Sequence, residues 1–155
     1  MLGIAFAQPG SDRTLLLRVI SRGDIRIDGI DVEVLEWEED REVEDLLSID
    51  IGLMPMPDDE WTRGKCALKA IQYMAAGIPV VCADVGANRE VVREGVDGFL
   101  AADEAGWQRA LERLIEDKAL RQRMGQCGRE RVAQHFSLHE AAKHMAGWFD
   151  ELLAT

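Results

Sequence analysis

Apolar and polar positions alternate along this chain in two periods. Short apolar runs stand at Leu15-Leu16-Leu17-Arg18-Val19-Ile20, Val32-Glu33-Val34-Leu35-Glu36-Trp37, Ile49-Asp50-Ile51-Gly52-Leu53-Met54, Ile78-Pro79-Val80-Val81-Cys82 and Gly98-Phe99-Leu100-Ala101. Each has the length of a strand, and Pro55 and Pro57, which cannot donate ladder hydrogen bonds, stop the third. Between them the apolar residues recur at helical spacing. An acidic stretch from Glu38 to Leu47 predicts a short helix with Val43, Leu46 and Leu47 on its inner face. A polar loop from Pro57 to Gly64 leads into a helix from about Cys66 to Ala76, which Gly77 ends as a left-handed cap. Gly86 opens a turn before a short helix from Asn88 to Glu94, closed by Gly95. From Glu104 onward the pattern is helical throughout: Glu104 to Ile115, Lys118 to His135 and Ser137 to Leu153.

Strands alternating with amphipathic helices predict an α/β domain: a Rossmann-like parallel sheet of about five strands with flanking helices and a helical C-terminal tail. With 155 residues the chain reads as a single domain, 1–155. The opening apolar run, Met1 to Ala7, is too short for a signal peptide and has no basic segment before it. No other stretch approaches membrane-spanning length, so the expected compartment is the cytoplasm. A peripheral membrane contact is compatible with this pattern.

Charge narrows the possible ligands. The formal net charge is −11, with 29 acidic against 18 basic side chains, which argues against a nucleic-acid partner. An acidic domain also repels small anions unless cations gather locally. Lys65 and Lys69, four apart at the start of the 66–76 helix, are such a pair, and Gln72 follows three residues later. Leu68, Ile71 and Ala75 are then expected on the sheet side. Gly64 allows a close approach of backbone to a ligand, and a loop running into a helix start offers free N–H groups to a phosphate. The bland reading of the same residues is a pair of solvated lysines on a helix surface.

Other chemistry is weakly represented. Cys66, Cys82 and Cys127 are scattered and read as reduced, buried thiols. Asp58, Asp59 and Glu60 form a solvated loop tip without the pattern of an oxygen-ligand loop. His135 and His139 are four apart, but Phe136-Ser137 breaks the helix between them. No metal or other cofactor is expected.

The ordered succession of the middle segments carries a resemblance. Gly64-Lys65-Cys66-Ala67-Leu68-Lys69, Gln72-Tyr73-Met74-Ala75-Ala76-Gly77-Ile78-Pro79-Val80-Val81, Gly86-Ala87-Asn88-Arg89-Glu90-Val91-Val92 and Gly95-Val96-Asp97-Gly98-Phe99-Leu100 together resemble the donor-binding domain of the retaining GT-B glycosyltransferases of family 4, group 1. Leu120, Arg121, Met124, Gly125, Gly128 and Arg129, before Phe136-Ser137, are similar to the family's C-terminal helices. The resemblance implies half of a GT-B fold that binds a nucleotide diphosphate sugar for hexosyl transfer with retention and needs no metal. It implies donor-binding roles for Gly64, Lys65, Lys69, Gln72 and Gly86: the lysines near the diphosphate, Gln72 near the ribose, and the glycines where backbone approaches ligand. The catalytic residues stay unassigned.

Departures from the family pattern qualify this expectation. Gly64 and Gln72 stand where the family carries two glutamates, and Lys65 or Glu60 is left as a stand-in on the sugar side. The Arg and Lys that the family places on the diphosphate have no good match in Arg13 or Arg18. The expected partner is an N-terminal GT-B domain, or a partner subunit in its place, so the chain is read as a domain fragment. The stripe Leu138, Ala141, Met145, Trp148 and Leu152 on the last helix, 137–153, either packs on its own domain or crosses to that partner. Two alternatives remain: a non-catalytic interaction subunit that kept the fold, and a fragment of a sugar-nucleotide epimerase.

Overall fold

The computed structural model describes residues 1–6, 15–23 and 25–153. A six-stranded sheet has the order β3-β2-β1-β4-β5-β6, with β1 at Leu2–Phe6, β2 at Leu15–Ser21, β3 at Val32–Glu36, β4 at Ile51–Met54, β5 at Val80–Ala83 and β6 at Gly98–Ala101. The α-helices are α1 (Glu42–Leu47), α2 (Glu60–Arg63), α3 (Leu68–Ala75), α4 (Asn88–Val91), α5 (Glu104–Glu116), α6 (Lys118–His135) and α7 (Leu138–Leu153).

The strand β1 was not expected from the pattern. It occupies the centre of the sheet and runs antiparallel to both neighbours, with Leu2 opposite Val19 and Leu53 and Ile4 opposite Leu17 and Ile51. The other five strands all point one way. A five-residue run that reads as too short for a leader is long enough for a strand. Its central place depends on long-range pairing, which no local pattern records. Because β1 runs backwards, its first residues lie at the carboxyl ends of the parallel strands.

Two apolar clusters cover the two faces. On one, Tyr73 and Met74 of α3 and Val132 of α6 pack on Ile20, Val80 and Cys82. On the other, Ala110 and Leu114 of α5 and Met124 of α6 pack on Ile4, Ile51, Leu53 and Val81. Gly52 gives up its side chain to the ring of Tyr73, which a Cβ there would penetrate. The Tyr73 hydroxyl accepts from Leu2 N at 2.9 Å and donates to Leu2 O at 2.7 Å, tying α3 to the central strand. Gly125 of α6 rides directly over the carbonyl of Gly77, whose φ of +76° closes α3 as the sequence predicted.

Several local expectations are corrected. The acidic helix divides into a 3-10 turn at Glu39–Arg41 and α1, and of its three inner-face candidates only Leu46 is buried, Val43 being 69% exposed. The loop before Gly64 contains α2, capped by the Asp59 side chain accepting from Thr62 N at 2.7 Å. The next helix starts at Leu68 rather than Cys66, because Ala67 has a left-handed backbone, φ +55°. Its buried side is Ala70, Tyr73 and Met74, whereas Leu68 is 55% exposed and Ala75 faces solvent. The helix from Asn88 is four residues long. No described residue of α7 is buried, so its stripe does not serve the domain's own core.

Candidate functional site

A cavity of about 650 Å³ opens at the carboxyl ends of β2 and β4, where open α/β sheets receive ligands. Val19, Ile20, Leu53 and Met54 form its apolar floor, and Met1 and Leu2 join them through the reversed central strand. Its other wall is the unbroken run from Gly64 to Lys69, the loop between α2 and α3 and the first residues of α3.

This run has the features of an anion site. Ala67, at the N-cap position of α3, is one of the described residues with a strained backbone, and it offers no side-chain cap. The first-turn amides therefore keep their donor capacity at the positive end of the helix. Lys65 and Lys69 both border the cavity. Lys65 has no ion pair among the described residues. Lys69 Nζ lies 3.7 Å from Glu42 Oε1. No side chain lining the cavity is acidic. Cys66 is exposed at the rim, contrary to the expected burial, whereas Cys82 is buried and burial pushes its thiol up to about 12.

The two glycines assigned to the ligand separate clearly. Gly64 has φ −83°, and a Cβ added there meets nothing closer than Trp61 O at 3.6 Å, so the fold itself does not require glycine. Gly86 has φ +52°, and its added Cβ would stand 3.0 Å from Arg63 Cα. Glycine is needed there to let the β5–α4 turn touch α2, and Gly86 does not line the cavity.

Gln72 also lies outside the cavity. It borders a second hollow of about 530 Å³ with Glu42, Leu46 and Arg129, and its Nε2 donates to Glu42 Oε1 at 3.4 Å. Arg18 is committed to Glu33 Oε2 at 2.6 Å and Ser48 O at 2.7 Å, and Arg13 lies outside the described residues. Glu60 does not line the cavity.

Two further residues of the family-like text have structural partners. Asp97, wholly buried, accepts from Arg93 N at 2.7 Å and Arg93 Nε at 2.6 Å, fixing the turn before β6. Asn88 is buried and donates to Ala83 O at 2.9 Å, tying α4 to β5. The described residues hold no group of three His, Cys, Asp or Glu side chains able to share a metal ion.

Residues 11–117 match the family described as Glycosyl transferases group 1. The chain belongs to the group 1 glycosyltransferases. It is similar to a D-inositol 3-phosphate glycosyltransferase of Salinispora tropica, with 35% identity over 56% of this chain and 18% of the relative. Among solved structures it is similar to sucrose-phosphate synthase from Thermosynechococcus elongatus, with TM-score 0.67 and 25% identity over 79% of this chain and 30% of that one. It shares its fold with HepE of Anabaena in complex with UDP, with TM-score 0.62 and 21% identity over 77% and 32% of the two chains. The chain thus spans about a fifth of the curated relative and about a third of these solved structures. As in the expected half of a GT-B fold, the sheet and its flanking helices are those of a glycosyltransferase domain. No helix of the described residues is long and apolar enough to cross a membrane.

Proposed function

We propose that the cavity between the Gly64–Lys69 run and the sheet is the donor site of a group 1 glycosyltransferase and takes a nucleoside diphosphate sugar. The observation that carries this reading is the wall itself: two lysines and an uncapped helix start on one side of a mostly apolar hollow that holds no acidic side chain. The diphosphate would meet Lys65, Lys69 and the first-turn amides of α3, with the backbone of Gly64 close against it. Val19, Ile20, Leu53 and Met54 offer an apolar bed to the base and ribose. That HepE of Anabaena has been solved with UDP supports a nucleotide of this class.

In the complete enzyme, transfer from this donor with retention at the anomeric carbon is the reaction the family resemblance implies. Amides and cations on the departing diphosphate would stabilise the charge that develops there. The acceptor then has to arrive from a second domain, and the exposed stripe of α7 suits a crossing to it. A second reading, binding without transfer, draws on the absence of any carboxylate in the cavity wall.

Isothermal titration with UDP, GDP and ADP tests the donor site, with Lys65→Ala alongside. Saturable binding of one nucleotide, weakened about tenfold by the substitution, is expected for the loss of one charge-assisted phosphate contact. Equal binding by wild type and Lys65→Ala would refute the assignment of Lys65.

A further inference from the structure

Lys69 lines one hollow of the surface and pairs with a residue that lines another. Its place on α3 makes it part of the 650 Å³ cavity, yet its ammonium pairs with Glu42, the first residue of α1, which borders the 530 Å³ hollow instead. One carboxylate oxygen, Glu42 Oε1, serves both Lys69 Nζ at 3.7 Å and Gln72 Nε2 at 3.4 Å. Both contacts are long for charge-assisted bonds. The Lys69 and Glu42 side chains remain 44% and 28% exposed, and Gln72 Oε1 is buried without a hydrogen-bond partner. The pair is therefore loose, and the group beside it is incompletely satisfied.

We propose that Glu42 is a displaceable counter-ion: it holds Lys69 while the cavity is free of anion and releases it to the diphosphate. This inference deepens the donor-site reading and rests on it. A diphosphate carries more charge than one carboxylate and is met by Lys65 and the α3 amides as well, so it wins the exchange. The Glu42 carboxylate nevertheless competes with that diphosphate for the Lys69 ammonium, in a domain whose net charge is already −11. Glu42 thereby lowers affinity for every diphosphate alike, the spent nucleotide included, and acts through Lys69 as a positioning residue. Gln72, in this arrangement, anchors Glu42 rather than the ligand.

Glu42→Gln keeps the shape and removes the charge, and its amide can donate to the orphaned Gln72 Oε1. Wild type, Glu42→Gln, Lys69→Ala and the double variant are titrated with UDP, GDP and ADP, and circular dichroism confirms folding. Glu42→Gln is expected to bind the preferred nucleotide roughly two- to fivefold tighter at low salt, the range of a half-exposed ion pair. The gain should shrink as salt rises and vanish in the Lys69→Ala background. Glu42→Ala, which also removes the charge, should shift affinity in the same direction. Unchanged or weaker binding by folded Glu42→Gln, or an equal gain without Lys69, overturns the proposal while leaving the donor site standing. Failure of both wild type and Glu42→Gln to bind any of the three nucleotides overturns the donor-site reading, and this proposal with it.

Discussion

Gly64 and Gly86 show how one residue type answers to two different demands. Gly86 is required by the fold: its φ of +52° and the Arg63 backbone at 3.0 Å leave no room for a side chain. Gly64 has an ordinary backbone, and a Cβ there would make only ordinary contacts with Trp61 O at 3.6 Å and Glu60 O at 3.8 Å. The fold therefore tolerates a side chain, and under the proposed function the smallness of Gly64 serves the ligand. Gly86→Ala is expected to lower stability by about 1–3 kcal/mol in urea unfolding. Gly64→Ala should leave stability unchanged or raise it by up to about 1 kcal/mol, yet weaken nucleotide binding. A Gly64→Ala protein that binds nucleotide as the wild type does would contradict the close-approach role. Tyr73 offers a test of a different kind. Burial holds its phenol at about 12 against an ordinary value of 10.0, and Cys82 at about 12 against 9.0. Folding thus favours the neutral forms. The stability they confer is complete below the unfolded values and is lost as pH climbs from about 9 towards about 12. Tyr73→Phe removes two hydrogen bonds to Leu2 and should cost about 1–3 kcal/mol near neutral pH. Its stability should then fall less steeply than that of the wild type above about pH 10, measured by urea unfolding along a pH series.

At the scale of elements, the helices divide into those that build the core and one that does not. The first half of α6 reaches the α5 face through Leu120 and Met124, and its second half reaches the α3 face through Gly125, Gly128 and Val132. The following helix, α7, has no buried residue, and Leu138 and Trp148 are 87% and 63% exposed. Removing residues 138–155 should therefore change the unfolding free energy by no more than about 0.5 kcal/mol, as for surface changes generally. It should also abolish any pairing with a separately expressed N-terminal half, followed by size-exclusion chromatography. A large loss of stability would show that α7 serves this domain after all. The short loop-to-helix run before α3 repeats the contrast on a smaller scale. A left-handed Ala67 shifts the start of α3, and it lies within the six successive positions, Gly64 to Lys69, that line the cavity.

For the whole molecule, β1 is the joint. It separates β2 and β3 from β4, β5 and β6, and each side pairs with it antiparallel. Ile4, only 9% exposed, lies in this strand and packs in the cluster under α5. Ile4→Pro is expected to cost about 3 kcal/mol or more, since it deletes a ladder bond in a strand hydrogen-bonded on both edges. Thermal unfolding monitored by circular dichroism would register this, and a native-like midpoint would show that the sheet does not depend on β1. The acidic surface bears on function at this scale too. A domain of net charge −11 can accept an anion only where cations are concentrated, and the cavity wall supplies Lys65 and Lys69.

The sequence by itself determined the α/β class, the strands β2 to β6, the helices α5 and α6 within a residue of their ends, and the Gly77 cap. These follow from periodicity and capping, which are written in neighbouring residues. It also placed Gly64, Lys65 and Lys69 together, because they adjoin in the chain and sit where a loop enters a helix. Only the tertiary structure decided the central antiparallel strand, the rotation of α3 that buries Ala70, Tyr73 and Met74, and the separation of Gln72 and Gly86 from the cavity. It alone brought Glu42 to Lys69 across 27 positions of sequence. Strand direction, helix rotation and ion pairing between helices depend on partners far away in the chain. No local pattern of side chains encodes them, and packing settles them together.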